Sequence, residues 1–372
     1  MSVLLPTEPA GEFCSLRTVG LRKLHGLCDA LSVSTAQRRE AVELFQEISD
    51  SWGDFAVGDA PHWPSDITDD GSPFEFSVAF ERNRFELRML FESQLRSPTN
   101  RSTWDAGIAF GERLRKAGKA DLSLFNQVAD LFAPTTPKPD RFSLWHAAVL
   151  RDHACMYKVY FNPELEDPSK AVARVDTALQ RIGLPAARRF IEACTTRLPF
   201  STRLPYFSID LEHPDNARAK IYLSAESAAH AAAIVAETGG LDPATCSSWL
   251  SALLGTEEPQ RKRPILVCVA FRRDPAAKPD VTVHVPIRCF VDNDAEGAER
   301  LVGMLGVKDV ARLQRVMEAV SGHAPASTRG VLTYASMRQT NGALRVTGYL
   351  SPQLYATPVA AVSGTHSVRI AE

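Results

Sequence analysis

Arg218, Lys220 and Tyr222 occupy alternate positions of Arg218-Ala219-Lys220-Ile221-Tyr222. In an extended strand alternate side chains share a face, so two cations and a phenol line up while Ala219 and Ile221 take the apolar side. Neighbouring cations repel, and a phosphate or diphosphate offsets that repulsion. Lys158-Val159-Tyr160 repeats the grammar. Taken singly, each run also fits the solvent side of a half-exposed strand. The repetition favours two walls of one internal anion site.

For those walls to meet, the strands must curve around a common interior. Helical periodicity at about 15–32 and 35–51, with Ser34 as N-cap of the second helix, precedes strand-like runs at 74–80 and 85–92. Asp69-Asp70-Gly71-Ser72-Pro73 breaks the helical pattern, and Glu81-Arg82-Asn83-Arg84 turns the hairpin. The order helix, helix, strand, strand returns at about 103–161, 168–223, 225–291 and 295–350. Turns fall at Arg151-Asp152-His153, Glu212 to Asn216, Arg272 to Pro279 and Thr340-Asn341-Gly342. The fourth hairpin is predicted as strands 264–271 and 281–291.

Five such units at a spacing of roughly 60 to 70 residues give ten antiparallel strands in one repeating fold. Closure into a barrel removes the sheet edges. The fold class is therefore α+β: a closed barrel of ten antiparallel strands from five ααββ repeats, with helices outside, in one domain spanning 1–372. Residues 1–12 and 360–372 are expected as flexible tails. Ten strands leave more lumen than the eight that side chains can just fill. Outer helices demand an apolar outer strand face, so the polar side chains point inward.

Each hairpin then supplies inward candidates. They are Glu75 and Arg88; Lys158 and Tyr160; Arg218, Lys220 and Tyr222; Arg288 and Phe290; and Tyr334 and Tyr349. Five cations suit a diphosphate held without a metal. Tyrosine faces stabilise a carbocation by roughly 0.5–2 kcal/mol each and keep water from it. Glu75, among phenylalanines, needs a donor partner, and an aromatic N–H would serve. Singly, Arg88 and Arg288 also read as solvated strand charges, Tyr334 and Tyr349 as packing residues, and Glu75 as a turn cap. Asp66-Ile67-Thr68-Asp69-Asp70 superficially resembles an acidic magnesium motif, but no second acidic cluster answers it, and turn chemistry accounts for it. Asp292-Asn293-Asp294 is expected to cap the helix at about 295.

A net charge of −2 gives no global basic field for nucleic acid or anionic membrane, so any basic site is local. The seven Cys (Cys14, Cys28, Cys155, Cys194, Cys246, Cys268 and Cys289) form no CxxC pair. That argues against a disulfide framework or a zinc site and fits a reducing cytoplasm. The nine His include no HExxH. No signal peptide is read at the N-terminus, and no run reaches the roughly 18 apolar residues of a membrane span.

SPFEFSVAFE (72–81), FELRMLF (85–91), MYKVYFNP (156–163), NARAKIYL (216–223), VPIRCFVDND (285–294) and TYASM with VTGYL (333–350) together resemble an aromatic prenyltransferase of the dimethylallyltryptophan synthase type, the ABBA or PT barrel. The short length and compact loops resemble bacterial members. The resemblance implies that Glu75 accepts an indole N–H, and that Arg88, Lys158, Arg218 and Lys220 hold the diphosphate. It implies that Tyr160, Tyr222, Tyr334 and Tyr349 shield an allyl cation. Arg288 stands where the family carries a further diphosphate contact, and Phe290 where it often has another Tyr. Leu144-Trp145-His146 stands where C4-specific fungal members carry a Lys. This puts a C4 product in doubt and offers His146 either as acceptor of the ring proton or as a packed strand residue.

The implied reaction is metal-independent transfer of a dimethylallyl group from dimethylallyl diphosphate to the indole of tryptophan or a tryptophan-derived compound. The implied enzyme is a cytoplasmic monomer or homodimer that needs no cofactor and no nucleic-acid or membrane partner. Two alternatives stand beside it: a phenol or naphthalene prenyltransferase, and a non-catalytic barrel binding an isoprenoid diphosphate.

Overall fold

The structure, a computed structural model, describes residues 14–355 apart from 82–83, 137–141, 152–153, 200–202, 256–262, 306 and 341. The tails expected at 1–12 and 360–372, and the turn centres at 82–83, 152–153 and 341, lie outside the described residues. Ten strands follow the expected order: β1 (Phe74–Glu81), β2 (Arg84–Phe91), β3 (Leu144–Arg151), β4 (Ala154–Phe161), β5 (Arg203–Asp210), β6 (Ala219–Ala225), β7 (Ile265–Phe271), β8 (Asp280–Val285), β9 (Leu332–Thr340) and β10 (Ala343–Leu350). Each is antiparallel to its sequence neighbours, and β10 pairs with β1, closing the barrel. Two helices precede each hairpin: α1 (Leu16–Leu31) and α2 (Thr35–Ile48), α3 (Asn100–Lys116) and α4 (Ser123–Val128), α5 (Ala171–Arg181) and α6 (Pro185–Arg197), α7 (Ala228–Ala236) and α8 (Pro243–Leu254), and α9 (Asp294–Val302) and α10 (Val307–Ser321). α10 packs on α1, so the outer helical layer closes as the sheet does.

Ser34 caps α2 as expected, in a reciprocal capping box with Gln37. Asn293 caps α9, while Asp294, the first helical residue, accepts the backbone N–H groups of Gly330, Val331 and Leu332.

The core lies between sheet and helices. On β1 the outward residues Phe74, Phe76, Val78 and Phe80 are fully buried. Phe45 of α2 meets Phe74 edge-on at 5.2 Å, and Trp52 stacks on it at 5.5 Å. Gly20 of α1 lies against the Phe45 ring, where a Cβ would overlap it. Burying each Phe is worth about 1.5–3 kcal/mol. A one-residue slip of β1 would place this row in the lumen and Glu75 beneath α2, so outer packing fixes the inward register.

The turn before β1 is fixed from the far end of the chain. Gly71, at φ 78, makes a bend that other residues rarely adopt. Asp70 accepts the hydroxyls of Thr68 (2.6 Å) and Ser72 (2.7 Å) and the backbone N–H groups of Leu354 (2.7 Å) and Tyr355 (3.2 Å). It ties the start of β1 to the chain beyond β10, where the barrel closes.

One strand differs from expectation. β8 ends at Val285, and residues 287–289 form a single 3₁₀ turn. Pro286 is the reason, because proline has no N–H for the ladder. Arg288 and Phe290 are therefore not alternate residues of a strand.

Candidate active site

The lumen holds two chambers, of about 720 and 880 Å³. One is walled mainly by charge, the other by apolar and aromatic side chains. They meet at a waist, because Arg88, Lys158, Tyr160, Tyr222, His284 and Tyr349 line both.

The charged chamber is built where the inner faces of β2, β4, β6, β9 and β10 approach one another. Arg88, Arg151, Lys158, Arg218, Lys220, Arg338 and Arg345 line it. Four carboxylates answer these seven cations. Asp210 accepts from Arg218 Nε at 2.7 Å and is paired with Lys220. Glu86 accepts from Arg88 and from Arg345, each at 2.6 Å. Asp280 lies 3.6 Å from Arg218. Glu81 lies 3.6 Å from Arg345. Three positive charges remain uncompensated if all ionise.

Burial works against the charge of Asp210, but Lys220, Arg218 and Lys158 outweigh it and hold the carboxyl well below its usual range. Burial lowers Lys220 to about 8 even though Asp210 opposes the shift. Lys158, opposite Asp210 in register, has no hydrogen bond or ion pair among the described residues. Burial, with Lys220 and Arg88 nearby, pushes its pKa well below the ordinary lysine value. An incoming polyanion would supply the missing partner.

The waist is aromatic. The Tyr222 ring lies 5.9 Å from Tyr160 and 5.8 Å from His284, and His284 lies 5.6 Å from Tyr349. The Tyr349 hydroxyl is 3.3 Å from Ser336 Oγ. Burial raises the Tyr222 and Tyr349 phenols, so they remain protonated.

Beyond the waist, Ile67, Met89, Leu90, Trp145, Tyr206 and Tyr334 enclose the second chamber. Trp145 stacks on Phe142 at 3.7 Å, so this wall is backed by a second ring. Glu75 stands here, 4% exposed, accepting from Thr333 Oγ1 at 3.1 Å. Burial raises its pKa to about 8, with Thr333 pulling the other way. Asp66 and Arg263 also line this chamber, adding one charge of each sign.

The expected residues divide cleanly. Glu75, Arg88, Lys158, Tyr160, Arg218, Lys220, Tyr222, Tyr334 and Tyr349 line the lumen. His146 does not. Trp145 and Ala147, opposite Tyr160 and Lys158, take the inner face of β3, so alternation turns His146 outward. There it packs against Phe91 (5.8 Å) and Phe110 of α3 (5.1 Å). Burial lowers it to about 3, and its Nδ1 finds no partner among the described residues. It cannot reach a ring in the lumen.

Arg288 is paired with Asp69, which also binds Arg263, and lines neither chamber. Phe290 packs in the core between sheet and helices. Pro286 has redirected both. Asp66-Ile67-Thr68-Asp69-Asp70 is a turn, as expected, whose acids bind the protein itself: Asp69 holds two arginines and Asp70 the β1 turn. Among the described residues no three His, Cys, Asp or Glu side chains converge as metal ligands.

Strand alternation would have found most of what sequence reasoning missed. Stepping by two from Tyr334 leads through Ser336 to Arg338, from Tyr349 through Thr347 to Arg345, and from Arg88 to Glu86. His284 follows Thr282 by the same step on β8. Asp210 shares the inner face of β5 with Ser208 and Tyr206 by the same step, although an Asp before a turn also reads as turn chemistry.

A lumen that holds a polyanion at one end, a flat apolar molecule at the other and phenol faces between them can ionise an allylic diphosphate beside an aromatic ring. A dimethylallyltryptophan synthase of the 6-type from Micromonospora olivasterospora, solved with DMASPP and Trp, superposes with a TM-score of 0.83 at 28% identity, over 92% of this chain and 99% of that one. The 5-dimethylallyltryptophan synthase of Streptomyces coelicolor gives 0.82 at 25% identity, over 93% and 98%. The prenyltransferase PriB, solved with L-tryptophan and dimethylallyl thiolodiphosphate, gives 0.80 at 26%, over 92% and 98%. A family model described as tryptophan dimethylallyltransferase matches residues 22–319, and the chain belongs to that family.

Proposed function

We propose that the protein transfers a dimethylallyl group from dimethylallyl diphosphate to the indole ring of tryptophan, as an electrophilic aromatic substitution that needs no metal. The observation that carries this reading is the shared waist, where a chamber with excess cations and an apolar chamber with a buried acid meet at a collar of phenols.

The diphosphate occupies the charged chamber, with Lys158, Arg88, Arg218 and Lys220 stabilising the negative charge that grows on the leaving group. Arg338 and Arg345 extend the same cradle. The carbon–oxygen bond breaks with its electrons going to diphosphate. Tyr160, Tyr222 and Tyr349 face the allyl cation, stabilise it and exclude water. The indole lies in the apolar chamber with its N–H on Glu75, which draws electron density into the ring. Asp66 and Arg263 supply the charges that complement an α-ammonium and an α-carboxylate, which favours tryptophan over an uncharged indole.

The test is incubation with tryptophan and dimethylallyl diphosphate in excess EDTA. A product heavier by one dimethylallyl unit, its attachment located by NMR, is expected. Diphosphate release only with naphthalenes or phenols, or no release at all, would overturn the reading in favour of another acceptor class or a binding barrel.

A further inference from the structure

Substitution on an aromatic ring ends with loss of a proton from the carbon that formed the new bond. That carbon must lie at the waist, where donor and acceptor meet. Six side chains line both chambers there: Arg88, Lys158, Tyr160, Tyr222, His284 and Tyr349. Arg88 is a cation already bound to Glu86. Lys158 faces the diphosphate and is needed there as a cation. The three phenols keep their protons and are weak acceptors. His146, outside the barrel, is excluded by its position.

His284 remains, on the inner face of β8, opposite Ser336 of β9 and Leu266 of β7, and between the rings of Tyr222 and Tyr349. The ionisable groups around it on the other strands are Glu75 of β1, Arg88 of β2, Lys158 and Tyr160 of β4, Lys220 and Tyr222 of β6, Arg338 of β9 and Tyr349 of β10. Burial and the Arg88 charge hold the imidazole neutral, down to about 3. No described residue hydrogen-bonds it, so its lone pair is available to the lumen.

We propose that His284 is the proton acceptor of the substitution, a role that rests on the prenyl-transfer reading above. The arenium carbon carries both the new carbon–carbon bond and its original hydrogen. The electrons of that C–H bond return to the ring and restore aromaticity. The proton goes to an imidazole nitrogen. The imidazolium so formed faces the departed diphosphate across the waist. That anion stabilises it and takes the proton on, returning His284 to its neutral form.

His284→Phe keeps an aromatic wall but removes the acceptor. It is expected to lower prenyl-product formation about 10²-fold, within the range for loss of a general base. Three further readouts separate chemistry from wall shape. With ring-deuterated tryptophan the variant should show a larger primary isotope effect than the wild type. Diphosphate release into water, without acceptor, should fall far less than prenyl-product formation. Imidazole should restore part of the turnover of His284→Gly.

Wild-type turnover in His284→Phe overturns the proposal. So does lost turnover with an unchanged isotope effect and no imidazole rescue, which would leave His284 as wall alone. If His284→Phe fails to fold, as judged by its melting curve, His284→Gln carries the same readouts. A wild type that prenylates tryptophan while these readouts fail leaves the function intact and removes only His284. A wild type that forms no prenylated tryptophan overturns both.

Discussion

Asp210 and Glu75 are buried carboxyls on the inner face of one barrel, and their surroundings hold them in opposite states. Asp210 is ringed by Lys220, Arg218 and Lys158 and stays ionised despite burial. Glu75 is buried among apolar residues with Thr333 as its hydrogen-bond partner, and its pKa rises to about 8. The difference follows from neighbours, because both are buried to a similar degree. It also sorts the ligands. The Asp210 end has charge to spare for a further anion. The Glu75 end has a carboxyl whose ionisation a neutral N–H donor would favour.

Asp210→Asn attacks this contrast most directly. It leaves Arg218 and Lys220 buried with their shared partner gone, and breaking such a pair typically costs about 3–5 kcal/mol. Denaturant unfolding at pH 7 should show a loss of that order. The folded-state pKa of Asp210 lies below its unfolded value, so its contribution is present at neutral pH and fades as pH falls through the folded value. Inorganic pyrophosphate should restore part of the loss by taking the place of the carboxylate. Unchanged stability, or no rescue, would mean that the cations are satisfied elsewhere.

Lys158 sharpens the comparison within the charged chamber, since Lys220 has a carboxylate partner and Lys158 does not. Lys158→Met should raise the melting temperature of the empty protein at neutral pH, because it removes a buried group whose charged form the fold disfavours. It should weaken pyrophosphate binding and turnover by roughly 10–100-fold, the worth of one hydrogen bond to a charged group. Because burial has lowered the Lys158 pKa, pyrophosphate should bind with proton uptake, as the anion favours the charged amine. Calorimetry in buffers of different ionisation enthalpy reads this. The variant should take up fewer protons; equal uptake would assign the proton to another group.

At the other end, Glu75→Gln should exchange stability against acceptor use. A carboxyl whose folded-state pKa is raised destabilises the fold progressively as pH climbs from its unfolded value to about 8. The amide removes that penalty. The variant should melt higher than wild type at pH 8.5, and the gain should vanish near pH 4. Turnover with tryptophan should fall while donor hydrolysis persists. Equal loss of both would take Glu75 out of acceptor binding.

The barrel was legible because its elements repeat, and each strand carries a residue alternation that only an apolar exterior explains. Phe74, Phe76 and Phe80 on one side of Glu75 fix the face without any partner strand in view. Alternation also gave the KVY and RAKIY walls. Further steps of two along β8 to β10 reach Thr282, His284, Arg338 and Arg345. Two errors have distinct causes. Pro286, which has no N–H for the ladder, ends β8 at Val285, three residues before Arg288. For His146, parity within β3 is fixed by the pairing of Ala147 with Lys158, a fact of register between strands that β3 alone does not contain.

That parity yields the prediction of smallest effect. His146 and His284 are both buried imidazoles held down to about 3, and what separates them is the side of the sheet they face. His146 lies between Phe91 and Phe110, with Nδ1 unpartnered among the described residues, in a space an aromatic ring fills equally well. Replacing an unsatisfied buried polar group by an apolar one of similar shape is close to neutral or stabilising. His146→Phe should therefore keep turnover within about two-fold of wild type and leave or slightly raise the melting temperature. A loss of turnover comparable to that of His284→Phe, with the fold intact, would mean that chemistry reaches through the sheet, and the division between outer core and lumen would have to be redrawn.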